Sequence, residues 1–525
     1  MKKFILCALS IFLLSFSIIN CSGNAFFGKP VTPIETPAGQ IIASMNFGWN
    51  LGNTLDADGS NDLTSETGWG QTKTTKAIID GLASSGINTI RIPVSWHNHI
   101  TNTDTYKIDS AWMSRVKTIV DWAIENDMYV VLNCHHDNAV YNPTESIKPG
   151  EGYYPLAKDK EVSLKFLKAI WSQIAETFKN YDEHLIFETL NEPRIRKNKN
   201  EEAPCDHEWS FTETCAICRE VQSCINEFNS EIVKTIRATG SNNEKRLIGI
   251  PGSACTPDAV LAKGFAVPDD ENIAVAVHMY TPYNFAMNKD GSKVFTSDDK
   301  IELANMFRRL SKKFVQNNIP VYIGEMGAVN KNNLEEREKW FSYYVAEAKK
   351  NQIPAILWDN NGWDSSEGNF EEKFGYYNRQ SQTWYFPSLI KNALIAAGSE
   401  PGVINQYVPD GNLISSELDG TNWGISASIS AKYFLDVNES STLTFITEPC
   451  SNSSIKDSII QLFDGNWKPL TLSGSIDKGT VSGQNINLPS KTGTFVYTIK
   501  DPLEVKNGLV IQCYGVKIIK ITLTE

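Results

Sequence analysis

The sequence predicts a (β/α)8 TIM barrel followed by a smaller all-β sandwich. Three observations carry that expectation. From about residue 44 to residue 394, short apolar runs alternate with segments of helical periodicity. Polar residues with chemical capability follow those runs, always at the same end. After about residue 401 the helical periodicity disappears, and short alternating runs are separated by Gly, Ser, Asn and Pro.

In chain order, Met1-Lys2-Lys3 is a basic start, and residues 4–19 form an apolar run of signal-peptide length. That run falls short of the roughly 20 residues a membrane span needs. Residues 1–20 are therefore expected to be a signal peptide. Ile18-Ile19-Asn20-Cys21 has the form of a lipoprotein cleavage box, with Asn20 where a small residue is usual. The expectation is export, either as a secreted protein or as a lipoprotein held at the cell surface or outer membrane through Cys21. Residues 21–40, with Pro30, Pro33 and Pro37, read as an extended tether. The net charge is −12 with no long Lys/Arg run, which argues against nucleic acid as a partner. Thirteen Trp and eighteen Tyr suit stacking on sugars, and equally suit a large core.

The predicted barrel strands are residues 45–51, 89–94, 129–134, 185–190, 246–251, 273–278, 321–324 and 355–358. Helical patterns lie between most of them. Residues 111–125 place Trp112, Val116, Ile119, Val120 and Ala123 on one face. Residues 162–178, 301–315 and 337–349 read similarly, and the helix after the fifth strand has the weakest pattern. A doubly wound open sheet is the alternative. It calls for a Gly-rich phosphate turn after the first strand, and Gly48-Trp49-Asn50-Leu51-Gly52 is not that turn. The barrel domain is expected over residues 41–398 and the sandwich over residues 399–525.

Asn53 and Asp56 follow the first strand, and Arg91 lies on the second. His135 and His136 follow the third, and Asn191 and Glu192 the fourth. His278 and Tyr280 close the sixth, Glu325 the seventh, and Trp358 the eighth. A single strand-end His is more often structural; the shared end over seven strands carries the weight. Glu192 and Glu325 make a pair of carboxyl groups, the equipment for cleaving a glycosidic bond. The bland reading of either is a buried ion pair with Arg91. Glu188 shares a strand face with Glu192 but lies deeper, as a structural partner. Asn191 suits a hydrogen bond to a sugar 2-hydroxyl. Arg91 and Tyr280 suit donation to an ionised carboxylate. His278 suits orienting a hydroxyl or tuning an acid, and Trp358 offers a flat face to a ring. His135, His136 and Asp137 invite a metal, but no H-E-x-x-H spacing supports one. This chemistry needs no cofactor.

Several stretches together resemble one family. They are Gly48-Trp49-Asn50-Leu51-Gly52-Asn53-Thr54, Arg91-Ile92-Pro93-Val94-Ser95-Trp96 and Asn133-Cys134-His135-His136, then Phe187-Glu188-Thr189-Leu190-Asn191-Glu192-Pro193, His278-Met279-Tyr280-Thr281-Pro282-Tyr283 and Gly324-Glu325-Met326-Gly327. In this order they resemble glycoside hydrolase family 5 endoglucanases, over residues 45–394. The resemblance implies a retaining (β/α)8 hydrolase of β-glucan polysaccharide, with Glu192 as acid/base and Glu325 as nucleophile. It further implies Arg91, His135, Asn191, His278, Tyr280 and Trp358 as site residues, and Asn53, Asp56 and His136 as glycone-side contacts. The group acts as endo-β-1,4-glucanases, with xyloglucan, mixed-linkage glucan and mannan as alternative substrates. A reading of another class is a non-catalytic glycan-binding surface protein, which has no need for an intact carboxylate pair.

The segment after Arg194 departs from the family pattern. It reads as a long loop holding Cys205, His207, Cys215, Cys218 and Cys224. In an exported protein disulfides are the first expectation, with a zinc site as the alternative. Cys134 reads as a buried free thiol, and Cys450 with Cys513 as a second pair. Residues 399–525 read either as a structural appendage or as a carbohydrate-binding module presenting Trp423, Tyr433, Phe463 or Trp467.

Overall fold

Eight short, largely buried runs pair in parallel and close on themselves. They are β1 (Phe47–Asn50), β2 (Thr89–Ile92), β3 (Tyr129–Asn133), β4 (Leu185–Glu188), β5 (Ile248–Ile250), β6 (Ile273–His278), β7 (Val321–Met326) and β8 (Ala355–Leu357). β8 pairs with β1, which closes the barrel. This computed structural model describes residues 31–197, 203–363, 372–407, 413–414, 417–424, 426–429, 431–434 and 437–524. The expected signal peptide and Cys21 lie outside the described residues.

The outer layer comprises α1 (Lys76–Ser84), α2 (Ser110–Glu125), α3 (Lys160–Phe178), α4 (Ala216–Ala238), α5 (Pro257–Leu261), α6 (Ser297–Lys313), α7 (Leu334–Lys350) and α8 (Pro387–Ala397). The helix after the fifth strand, weakest in the sequence, is the five-residue α5. α4 corrects an expectation. Residues 216–238 are a 23-residue helix, so Cys218 and Cys224 sit on a helix rather than in a loop. Its buried face carries Val221, Ile225, Phe228, Ile232 and Ile236, at the 3–4-residue spacing of one helical face.

The barrel interior has two layers. Inward-pointing Val131, Ile186, Ala274, Ala276, Tyr322 and Ile356 make an apolar floor. A short helix, Pro37–Ser44, closes that floor, with Thr36 Oγ1 accepting from Gly39 N at 3.2 Å as its cap. Ala38 and Ile42 join the apolar cluster. Residues 31–40 are therefore not an extended tether: Ile34 is buried, and Val31 N donates to Lys350 O at 3.0 Å. Burial of these side chains outweighs the extended preference of Pro33 and Pro37. Nor does the barrel unit stop at residue 398. The chain turns at left-handed Gly398 and packs back, with Val403 N donating to Ser84 O at 2.8 Å and Tyr407 N to Trp384 O at 2.7 Å.

Beyond this the chain forms two five-stranded antiparallel sheets. One runs in the order Leu418–Asp419, Val516–Thr524, Thr442–Pro449, Gly493–Thr498, Ser475–Ile476. The other runs Ser426–Ile429, Leu509–Tyr514, Ile459–Asp464, Asn485–Asn487, Thr480–Ser482. Leu443, Phe445, Ile460, Leu462, Phe495 and Ile511 belong to the core they share. Of the four candidate aromatics, Tyr433 is buried in that core, whereas Trp423 stacks on Tyr514 and Trp467 lies beside Phe463, both partly exposed. Cys450 and Cys513 are free thiols rather than a pair. Each donates to a backbone carbonyl of its own, Asn452 O at 3.2 Å and Leu418 O at 3.3 Å.

Candidate active site

Above the apolar floor, alternation turns Asn50, Arg91, Asn133, Glu188 and His278 into the barrel from five different strands. Strict alternation sends Glu325 the wrong way, because it would face the opposite side from inward Tyr322 and Gly324. A β-bulge corrects this. Val277 pairs with Ile323, but the next residue, His278, pairs with Glu325. The same extra residue shows against β8, where Ala355 pairs with Ile323 and Leu357 with Met326. Gly324 is that residue: an ideal Cβ there would stand 3.1 Å from His278 Nε2. The bulge re-aims Glu325 into the site.

Arg91 organises the network. Its Nη2 donates to Glu188 Oε1 at 2.7 Å and to Asn191 Oδ1 at 2.7 Å. Its Nη1 donates to Asn50 Oδ1 at 2.9 Å and to Glu325 Oε1 at 2.8 Å. Arg91 and Glu188 are fully buried, and burial alone would discharge both. Their mutual attraction overrides it: burial works to raise Glu188, but the guanidinium holds its carboxyl below the usual range. Glu188 is thus the structural partner its depth suggested, completed by Tyr322 OH at 2.6 Å. Because Arg91 takes the Asn191 oxygen, the Asn191 amide nitrogen is the group left to donate.

Glu325 takes a second donor, Tyr280 OH, on Oε2 at 2.9 Å. His278 Nδ1 lies 2.8 Å from Glu192 Oε1 and 3.5 Å from Glu325 Oε2. One carboxylate oxygen of Glu192 and one of Glu325 stand within 4.8 Å of each other, with His278 between. They titrate as a pair. Burial raises Glu325, against the pull of His278 and Arg91. Burial also works to raise Glu192, but the His278 hydrogen bond and charge hold it low. Burial disfavours a charged His278, yet neighbouring Cys255, Glu325 and Glu192 outweigh it and lift the imidazole well above its ordinary value.

The rest of the expected set separates. His135 is buried, neutral through desolvation, and parallel to the Trp358 ring at 5.9 Å. His136 lies edge-on to His135 and 5.5 Å from Trp69, and burial pushes it down to about 4. Asn53 holds a left-handed turn at φ 56. Asp56 departs from the expectation of a sugar contact. It is fully buried, and its oxygens accept Asn53 N at 3.0 Å and Thr54 N at 2.6 Å. Burial raises it to about 7, so it supports the turn beneath His136, 3.8 Å away. The disulfide expectation also fails: the eight described cysteines are free, and Cys134 donates to Asp137 at 2.9 Å.

Sequence reasoning missed Asn50, Asn133 and Tyr322, which complete the Arg91–Glu188 network. Their inward position on three strands was the available signal. It missed Asp359 as well, which accepts Trp49 Nε1 at 2.8 Å. Arg194 was also overlooked; it donates to Glu192 O at 3.1 Å and lies under the Trp209 ring at 3.7 Å. A cavity of about 640 Å³ lined by Asp58, His97, Asn138, Tyr141, Glu151 and Arg196 reaches neither Glu192 nor Glu325. The chemistry lies with the carboxylates, whatever the size of that hollow.

A closed parallel barrel that presents two facing carboxylates at the ends of β4 and β7 is a barrel of the glycosidase class. The cellulase model of glycosyl hydrolase family 5 matches residues 55–364. Endoglucanase B of Ruminococcus albus is 41% identical over 369 residues, 70% of this chain and 82% of that protein. Solved structures agree. A broad-specificity endoglucanase from Clostridium acetobutylicum shares 39% identity at a TM-score of 0.59, over 68% of this chain and 98% of that one. A Caldicellulosiruptor lichenase shares 36% at 0.63, over 71% and 99%. A xyloglucan-specific endo-β-1,4-glucanase from a metagenomic library shares 34% at 0.59, over 68% and 98%. The chain belongs to glycosyl hydrolase family 5 and is a glycoside hydrolase of the endoglucanase type.

Proposed function

We propose that the protein cleaves internal β-1,4 bonds of β-glucans with retention, using Glu325 as nucleophile and Glu192 as acid/base. The approach of the two carboxylates to within 4.8 Å carries this reading. A nearest oxygen pair this close suits the close-set carboxyl groups of retaining enzymes, about 5–5.5 Å apart, rather than the roughly 6.5–9.5 Å of inverting ones. In the first step Glu325 attacks the anomeric carbon while Glu192 gives its proton to the departing oxygen. In the second, Glu192 takes a proton from water, which attacks the same carbon and frees Glu325.

The two directions run counter to these roles, since Glu192 is held low and Glu325 is raised. Transfer of the His278 Nδ1 proton across 2.8 Å to Glu192 Oε1 makes Glu192 the neutral acid and His278 a neutral imidazole. A neutral Glu192 no longer repels charge on Glu325, and Arg91 and Tyr280 then hold Glu325 ionised. Asn191 donates to the sugar 2-hydroxyl, and Trp358 supports a sugar ring. Asn53 and His136 lie toward the glycone side.

The substrate reading is cellulose-type β-1,4-glucan, with mixed-linkage glucan and xyloglucan admitted by the same site; relatives named for lichenase, broad-specificity and xyloglucan activity support that breadth. Export, either as a secreted protein or with a lipid anchor at Cys21, is proposed from the amino-terminal sequence.

The test is hydrolysis of carboxymethyl cellulose, mixed-linkage β-glucan, xyloglucan and mannan, with products followed by NMR. Release of β-anomeric oligosaccharides is expected. Glu325→Gln is expected to abolish turnover, and Glu192→Gln to lower it about a hundred- to ten-thousand-fold, with both variants folded. An active Glu325→Gln, or α-anomeric products, refutes the assignment.

A further inference from the structure

Three groups of metal-capable side chains occur among the described residues, and two of them, Glu192 with His278 and Glu325 and Asp56 with His135 and His136, have already been accounted for at or beneath the candidate active site. The third is Cys205, His207, Cys215 and Cys218, where the chain leads from β4 into α4. We propose that these four residues form a structural zinc site that fixes this loop against the acid/base side of the cleft.

Each of the four offers one ligand atom, and all four atoms lie within 4.8 Å of one another. Tetrahedral zinc with bonds near 2.3 Å to sulfur and 2.0–2.1 Å to nitrogen spaces its ligand atoms about 3.5–3.8 Å apart. The upper bound of 4.8 Å on their separations is compatible with that geometry after at most a small contraction. A Cys-x-His pair and a Cys-x-x-Cys pair supply the ligands, with Cys215 as the cap of α4 and Cys218 in its first turn. Such closely spaced pairs are a common zinc-ligand arrangement. The thiols are free, and a disulfide would use two of the three and strand the third beside the imidazole.

A second observation points to a ligand. His207 Nδ1 is buried and has no hydrogen-bond partner. A buried polar atom in that state costs free energy unless something binds it. Three soft thiolates and one imidazole select zinc over calcium or magnesium. Four protein ligands close the coordination shell, so the ion acts structurally rather than as a catalyst.

The loop has reason to need it. Residues 203–215 contain neither helix nor strand, so side-chain contacts rather than a backbone ladder hold them. Glu208 follows His207 directly and lies 3.4 Å from Arg194 Nε. The Trp209 ring covers Arg194, whose Nη1 is 3.9 Å from Glu192 Oε2. Fixing His207 therefore fixes the groups that hold Arg194 beside Glu192.

The test uses the full chain, purified without chelator or reductant. Metal analysis is expected to find about one zinc per chain, and the intact mass to show reduced thiols. A mercurial thiol reagent is expected to release that zinc, and cobalt substitution to give thiolate charge-transfer bands. Cys215→Ser and Cys218→Ser are expected to lose the metal. Cys224→Ser, a buried cysteine outside the cluster, is expected to keep it. Removing zinc is expected to lower Tm and expose residues 203–215 to protease. Three outcomes overturn the proposal: a disulfide joining any two of Cys205, Cys215 and Cys218; reduced protein that takes up no added zinc; or Cys215→Ser with full zinc. Because metal content is read directly, these outcomes are independent of the catalytic reading.

Discussion

Replacing Tyr280 by Phe removes one hydroxyl and leaves the ring against Phe374 at 5.4 Å. That hydroxyl donates to Glu325 Oε2 at 2.9 Å, in a site where the Glu325 side chain is only 7% exposed. A hydrogen bond to a charged group is worth about 1.5–3 kcal/mol. At 1.36 kcal/mol per pKa unit, losing it raises the carboxylate by about 1–2 units. Glu325 already lies above its ordinary value through burial. A nucleophile must be ionised, so activity falls as pH drops through this value. The acid limb of kcat/KM is therefore expected to move to higher pH by about 1–2 units. Arg91 remains on Oε1, so activity is expected to recover as pH rises above the shifted limb. The assay is kcat/KM against pH on a soluble β-glucan, with Tm recorded for both proteins. An unmoved acid limb at unchanged Tm would refute the idea that Tyr280 holds Glu325 ionised.

Two further outcomes follow from the same network. Gly324→Ala would place a Cβ 3.1 Å from His278 Nε2, tighter than the site accommodates without a shift. Crowding of this kind costs about 1–3 kcal/mol, and kcat/KM is expected to fall about ten-fold or more as His278 moves off Glu192; wild-type kcat/KM would refute the role of the bulge glycine. His278 is raised in the folded state, so its protonation stabilises the fold fully below about pH 6.5. That contribution is lost as pH climbs through the higher folded value. Tm is expected to decline from about pH 6.5 upward and to decline less in His278→Asn; equal slopes by differential scanning calorimetry would contradict it.

Much of the barrel was legible because its signals are local. Apolar runs of strand length, helical spacing as at Trp112, Val116 and Ile119, and polar residues just past each run need only neighbours in sequence to be read. The helix Ala216–Ala238 was obscured because Gln222 and Asn229 interrupt its buried apolar face, and because the cysteines at its start suggested a loop. The floor helix Pro37–Ser44 was obscured by prolines, which mark extended chain in isolation but start a helix when one stands at its first position.

The sequence by itself determined the strand and helix alternation, the change to an all-β carboxyl-terminal region, the family, and the pairing of Glu192 with Glu325 as the candidate chemistry. Tertiary structure decided what depends on contacts between distant residues. It set the bulge at Gly324, without which alternation faces Glu325 away from the site, because register is a property of two strands and not of one. It assigned Asp56 to a buried turn rather than the cleft, because burial depends on what packs above it. It also gathered Cys205, His207, Cys215 and Cys218 into one cluster, because loop closure places ligands in ways their spacing leaves open.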